Sequence, residues 1–311
     1  MTEFERNKLI AAILAERAGK PTTLDAAVEK FLSDLLLTDT QRTRVASRQD
    51  AVRETIKSRL GIPNVKTYLV GSYPRETQIR EVDGRSLIDV DCLFILPGDT
   101  DLLQKYYWNG DGGRRLLEEM HSAIDGYQGL KAKVDWPCVT LAWADMKMEL
   151  TPAFKAEDPG YVIPGASIWE KWQTTDPLKD EDLITKRNQA ANGDFKKLIR
   201  MLKCWNRTHG RPISSFAIEA VAYQTTSHFE NLLFEASWFF KQLLALNGTS
   251  VPAPSKVGKY VKIQLDHWET HFVSSAKTHI DKAIDYAAFG RHEEAIALLG
   301  SVFGKPFPGV K

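Results

Sequence analysis

The sequence predicts an α+β protein in two parts, a sheet lobe with a long N-terminal helix over residues 1–155 and a helical lobe over residues 156–311. Three observations carry that expectation. Short β-like runs cluster between residues 65 and 151, helical periodicity lies on either side of them, and a loop-rich stretch (KAEDPGYVIPGASIWEKWQTTDP) separates the two regimes. With 43% hydrophobic residues among 311, the chain can bury one large or two ordinary cores.

Residues 22–60 place Leu24, Val28, Phe31, Leu32 and Leu35 at helical spacing, and Gly61-Ile62-Pro63 stops the pattern. This predicts one long helix, kinked near residues 38–40 and able to pack on both lobes. Strand-like runs follow at 65–70 (VKTYLV), 87–96 (LIDVDCLFIL), 132–143 with a Trp136-Pro137 interruption, and 145–151 (DMKMELT), where Thr151-Pro152 reads as the end of the strand. A helix is expected around residues 113–124. Beyond the loop-rich stretch the pattern is helical almost to the end. Its most apolar part, residues 231–246 (NLLFEASWFFKQLLAL), is broken by Glu235 and Lys241 and falls short of the roughly 20 residues that a membrane span needs, so a core helix is expected. Residues 283–304 read as a single TPR-like helix pair, which as one isolated repeat builds no solenoid.

Lys and Arg number 41 against 40 Asp and Glu, so the chain lacks the net basic footprint of a long nucleic-acid binder, although a local basic pocket for a small anion remains open. Cys92, Cys138 and Cys204 are far apart and in no CxxC pair, which excludes a disulfide framework or zinc site as an expectation and points to a reducing, cytoplasmic setting. The opening MTEFERNKLIAAILAER has early acids and no small-residue cleavage site, so no secretory signal is expected.

The chemistry concentrates in two short segments. A Gly71-Ser72 turn directly after an apolar run offers backbone N–H groups and a hydroxyl to a phosphate. Asp89 and Asp91 then sit two apart in a strand-like run, so both carboxylates leave the same face, where they repel unless a cation lies between them; hard oxygen ligands suit Mg²⁺ or Mn²⁺. A third acid should come from a neighbouring strand. Glu149 alternates against Met148 and Leu150, and Asp145 points to the same side as a competing choice. Further on, Lys196, Lys197, Arg200, Lys203 and Arg207 give one helix a basic side, a pattern that by itself usually means a solvated face. Tyr73, Tyr161, Trp169 and Trp172 are candidates for stacking on a base, with core packing the competing fate in a chain with eight tryptophans.

The segments GSYPRET, IDVDCLFIL and MELTPAF resemble the active site of the nucleotidyltransferase superfamily that contains DNA polymerase β. Within it the chain is similar to the bacterial CD-NTases, relatives of cyclic GMP-AMP synthase and oligoadenylate synthase. The likeness continues through YVIP at 161–164, WQTTDP at 172–177, LIRMLKCWN at 198–206 and ISSFAIE at 213–219, and runs from about Asp25 to Pro308. It implies a polymerase β-like sheet lobe with a helical lobe closing the nucleotide cleft. Asp89, Asp91 and Glu149 would be catalytic and hold two ions, Mg²⁺ or Mn²⁺; Gly71, Ser72, Lys203 and Ser215 would bind the nucleotide. The family usually carries Asp in the third acidic place, so Glu149 is a departure. The implied activity condenses NTPs, ATP and/or others, into a cyclic di- or oligonucleotide second messenger with release of pyrophosphate, in anti-phage (CBASS) signalling through a separate effector protein. Neither a membrane nor an obligate long nucleic acid is implied. Two other readings are a template-independent transferase acting on RNA or protein, which the near-neutral charge disfavours, and an inactive nucleotide-binding module, which three filled acidic positions disfavour.

Overall fold

The computed structural model describes residues 22–80, 87–157, 159–167, 169–226, 229–258 and 260–309. The opening segment read above for a secretory signal lies outside them. The long helix expected over residues 22–60 is two helices, α1 (Leu24–Asp34) and α2 (Asp39–Leu60). Thr38 starts the second through a capping box with Gln41, and Gly61 ends it in the left-handed region at φ 63°. The break has a packing cause. Leu24, Val28, Phe31 and Leu32 of α1 belong to the helical lobe's core, whereas Val45, Val52 and Ile56 of α2 belong to the sheet lobe's core. One straight rod could not present both stripes to their separate cores.

The sheet comprises β1 (Lys66–Val70), β2 (Ile88–Ile95), β3 (Ala132–Asp135), β4 (Cys138–Ala142), β5 (Met146–Lys155), β6 (Tyr161–Pro164) and β7 (Trp172–Thr175), in the order β1-β2-β5-β4-β3, with β6 pairing both β5 and β7. β2 and β5 run parallel and the other described pairs antiparallel; α3 (Gly112–Ile124) lies in the connection between them and packs on α2. Two expectations are corrected. Pro152 does not end β5, because β4 pairs with β5 only as far as Leu150 and β6 pairs with it only from Phe154 on; at Pro152 the edge away from β2 needs no N–H. The stretch read as loop after residue 155 contains β6 and β7, so the sheet extends to Thr175, beyond the expected boundary. Both added strands are four residues long, too short for alternation to declare them.

The helical lobe consists of α4 (Pro177–Ala190), α5 (Asp194–Thr208), α6 (Ser215–Thr225), α7 (Leu232–Ala245), α8 (His267–Ala288) and α9 (His292–Phe303), with a small hairpin of β8 (Ser250–Val251) and β9 (Val261–Lys262). α7 is a core helix, with Leu233, Ala236, Phe239, Phe240 and Leu243 buried, and no helix of the described residues is long and apolar enough to cross a membrane. Phe31 of α1 packs against Phe303 and Phe307 at centroid distances of 5.1 Å, tying the start of the lobe to its end. The three cysteines are free and buried.

Candidate active site

Strand register assembles the acids. β1 ends at Val70, which pairs with Asp91 on β2, and on the other side Asp91 pairs with Glu149 and Asp89 with Lys147 across the parallel β2–β5 ladder. β2 alternates buried and half-buried positions over its first five residues, so Ile88, Val90 and Cys92 enter the core while both aspartates leave by the other face. Ligand atoms of Asp89, Asp91 and Glu149 all lie within 4.8 Å of one another. Asp145, the competing third acid, is elsewhere. It precedes β5 and accepts from Arg48 Nη1 at 2.7 Å and from Arg44, both on α2; burial tends to raise its carboxyl, but these two guanidiniums outweigh it and hold it below the usual range.

Burial pushes the Asp91 carboxyl up to about 7, and the neighbouring charges of Asp89 and Glu149 add to the effect. Asp89 is raised as well, by burial first and then Glu149, with Lys147 opposing. Crowded carboxylates whose charge is costly to hold are what a cation would relieve. Asp89 Oδ1 is buried without a hydrogen bond, and an all-oxygen donor set matches a hard divalent ion, so these three residues could hold Mg²⁺ or Mn²⁺. Gly71 follows from the same crowding. Its φ is 75°, and an added Cβ would stand 2.0 Å from Asp91 Oδ2, so only glycine lets the turn pass this close to the carboxylate.

The turn opens onto a cavity of about 350 Å³ between the lobes. Gly71, Ser72, Asp89 and Asp91 form its sheet side, and Lys203, Ser215, Phe216 and Glu219 its helical side. Glu149 reaches the acid cluster from β5 without forming that wall. Ser214 caps α6 by accepting from the Ala217 N–H, which leaves Ser215 in the first turn, on the cleft. The four aromatics named from the sequence do not line the cavity: Trp169 is 90% exposed, Tyr161 is buried, Trp172 packs against Tyr107 and Phe154, and Tyr73 Oη donates to the Arg42 carbonyl. Phe216 is the aromatic at the wall.

The basic side of α5 is not a solvated face. Lys196 Nζ lies 3.2 Å from Glu76 Oε2, Arg200 Nη1 donates to the Glu76 carbonyl at 2.7 Å, and Arg207 Nη1 donates to the carbonyls of Ile79 and Arg80. These cations bind the loop that carries Gly71 and Ser72 to the helical lobe. Lys197 alone turns outward, to Asp194 and Glu29. At the centre, Glu219 Oε1 accepts from Lys203 Nζ at 2.5 Å and from Thr77 Oγ1 at 2.6 Å, while Glu219 Oε2 accepts from Arg75 Nη2 at 2.6 Å. Burial would raise Glu219, but Arg75 and Lys203 override it and bring the carboxyl to about 2; burial pulls Lys203 down against the opposing Glu219 charge. Arg75 and Glu219 were missed as site residues. The one signal for Glu219 is an acid inside the otherwise apolar FAIEAVA.

A mixed sheet that sets an acid trio and a glycine turn against a helical lobe is the architecture of a polymerase β-like nucleotidyltransferase. Residues 23–188 match the family model for the Second Messenger Oligonucleotide or Dinucleotide Synthetase domain, and the chain belongs to that family, the CD-NTases. It is a nucleotidyltransferase of a family described as synthesising second-messenger oligonucleotides or dinucleotides. A protein of Bacillus cereus named "Probable cyclic nucleotide synthase" is 26% identical, covering 92% of this chain and 98% of its own. The "Cyclic AMP-AMP-AMP synthase" of an Acinetobacter species is 24% identical, covering 89% and 83%. The fold is that of CdnC from Escherichia coli MS115-1, solved with ATP (TM-score 0.66, 16% identity, 93% of this chain and 100% of that one). It is also that of the CD-NTase CdnG from Bradyrhizobium diazoefficiens, solved with GTP (TM-score 0.67, 14% identity, 90% and 95%).

Proposed function

We propose that Asp89, Asp91 and Glu149 are the catalytic residues and hold two divalent ions, Mg²⁺ or Mn²⁺, and that Gly71, Ser72, Lys203 and Ser215 bind the triphosphate of a donor NTP. The observation that carries this reading is the meeting of three carboxylate oxygens within 4.8 Å, two of them from Asp89 and Asp91 at the wall of a cleft whose far side holds Lys203 and Ser215. Ions held by these acids would supply Lewis acidity, lowering the pKa of an acceptor ribose hydroxyl and offsetting the charge of the departing pyrophosphate. The chain's own part is positioning. Gly71 brings its backbone against the Asp91 carboxylate, so phosphate held by the turn lies beside the acids. Lys203 is immobilised by Glu219 and Thr77, and Ser72 accepts through its carbonyl from the Thr77 and Gln78 N–H groups, so both donor-binding elements are held before substrate arrives.

The name of the Acinetobacter relative makes ATP the first substrate to test. The near-equal charge totals support free nucleotides over long nucleic acid. The product would act in the cytoplasm on a separate effector protein, in anti-phage signalling. The purified chain, incubated with an equimolar NTP mixture and Mg²⁺, should yield phosphatase-resistant cyclic products by mass spectrometry. Asp89→Ala with Asp91→Ala should yield none. Product from that double variant overturns the site assignment, and incorporation only when RNA or protein is added overturns the substrate assignment.

A further inference from the structure

Lys147 places one cation among the three acids. It lies two residues before Glu149 on β5, so both side chains leave the same face, and the parallel register sets Lys147 beside Asp89 just as it sets Glu149 beside Asp91. Its Nζ is 2.5 Å from Glu149 Oε1 and 3.5 Å from Asp89 Oδ1. The backbone pairing dictates this neighbourhood whatever rotamer the lysine takes. Two guanidiniums act on the acids as well: Arg75, paired with Glu219, on Asp91, and Arg207, at the cavity wall, on Asp89. Lys147 is the ammonium that contacts Glu149 and Asp89 from within the acids' own sheet.

We propose that Lys147 is an internal counter-ion that competes with divalent metal for Glu149 and Asp89, so that the cluster takes up metal weakly alone and loads it together with the nucleotide. The inference rests on the reading of the three acids as metal ligands. A divalent ion entering the cluster must displace the ammonium from Glu149 and then remain within a few ångströms of it, and like charges at that distance repel strongly in a partly buried site. The triphosphate removes the obstacle, because its negative charge compensates ion and ammonium together. Lys147 also offers the flexible stem this exchange needs: its side chain is 31% exposed, so the ammonium can swing toward the cleft without disturbing the core.

The test is Mn²⁺ binding to the full-length chain, followed by electron paramagnetic resonance, with and without a non-hydrolysable ATP analogue. Without nucleotide, Lys147→Met and Lys147→Gln should bind Mn²⁺ on the order of tenfold more tightly than the parent, and Lys147→Arg should not. With the analogue the difference should shrink, because the parent gains most. Two neutral variants guard against one that fails to fold, with circular dichroism as the check. Parent-like affinity in both folded neutral variants overturns the counter-ion role while leaving the metal site standing. If Mn²⁺ binds to none of the proteins even with the analogue present, the metal reading itself falls, and this inference with it.

Discussion

Two charge clusters face each other across the cleft, and they are built on opposite principles. Asp89, Asp91, Glu149 and Lys147 stand on strands, with the Asp89, Glu149 and Lys147 side chains between 28% and 48% exposed, and leave Asp89 Oδ1 without a hydrogen bond. Arg75, Thr77, Lys203 and Glu219 join the glycine-turn loop to α5 and α6, with the charged side chains 2–5% exposed and both Glu219 oxygens accepting hydrogen bonds. The first has an excess of negative charge and room to exchange partners; in the second, two buried cations share one fully hydrogen-bonded carboxylate at the cavity wall. Under the proposed reading, exchangeable ions need oxygens free to coordinate, whereas a joint between the lobes that holds a lysine in place needs satisfied ones. The electrostatics agree, since Asp91 rises to about 7 in the first cluster and Glu219 falls to about 2 in the second.

Substitution should separate the two sharply. Asp89→Asn with Asp91→Asn should lower nucleotide incorporation by at least about a thousandfold, while melting temperature holds or rises, because mutually repelling carboxylates have been removed. Glu219→Ala should do its damage through stability. It strands Arg75 and Lys203 as buried unpaired cations, a loss of about 3–5 kcal/mol readable by urea unfolding. The acid limb should show the same cluster. Glu219 is held down at about 2 against an ordinary value of 4.5, so its contribution is complete above about pH 4.5 and is lost as pH falls toward 2. Glu219→Gln should flatten the stability–pH profile in that window, and an unchanged slope would remove Glu219 from the account. Gly71→Ala combines a left-handed backbone with a Cβ 2.0 Å from Asp91 Oδ2, so a stability cost of about 1–2 kcal/mol should accompany a clear loss of activity. The smallest effect belongs to Asp145→Asn. Its partners are half exposed, so stability should change by less than about 1 kcal/mol and activity should hold, whereas Glu149→Gln should lose activity.

The legible parts of this site are those that obey a local period. Asp89 and Asp91 share a face because strands alternate, and Gly71-Ser72 ends β1 because a glycine turn follows an apolar run; both are read within ten residues of chain. Glu149 and Asp145 illustrate the limit. Alternation carried back one residue from β5 puts Asp145 on the side of Glu149, and only the parallel register with β2, together with Arg44 and Arg48 from a helix about 100 residues earlier, brings Glu149 beside Asp91 and holds Asp145 apart. The Thr38–Gln41 capping box makes a full break at the place where periodicity predicts only a kink, because apolar residues at helical spacing continue on either side. β6 and β7, four residues each, are too short for alternation to mark them as strands.

By itself, then, the sequence determined the chemical inventory, the order of sheet and helical regions, and which faces of each strand and helix are polar. Which charges meet was decided by the tertiary structure. Glu219 and Thr77 are 142 residues apart, Lys203 and Thr77 126, and the separation of two carboxylates on neighbouring strands depends on register. Periodicity is a property of adjacent residues and survives in one dimension. Electrostatic coupling falls off over a few ångströms, and those distances exist only once the lobes have packed.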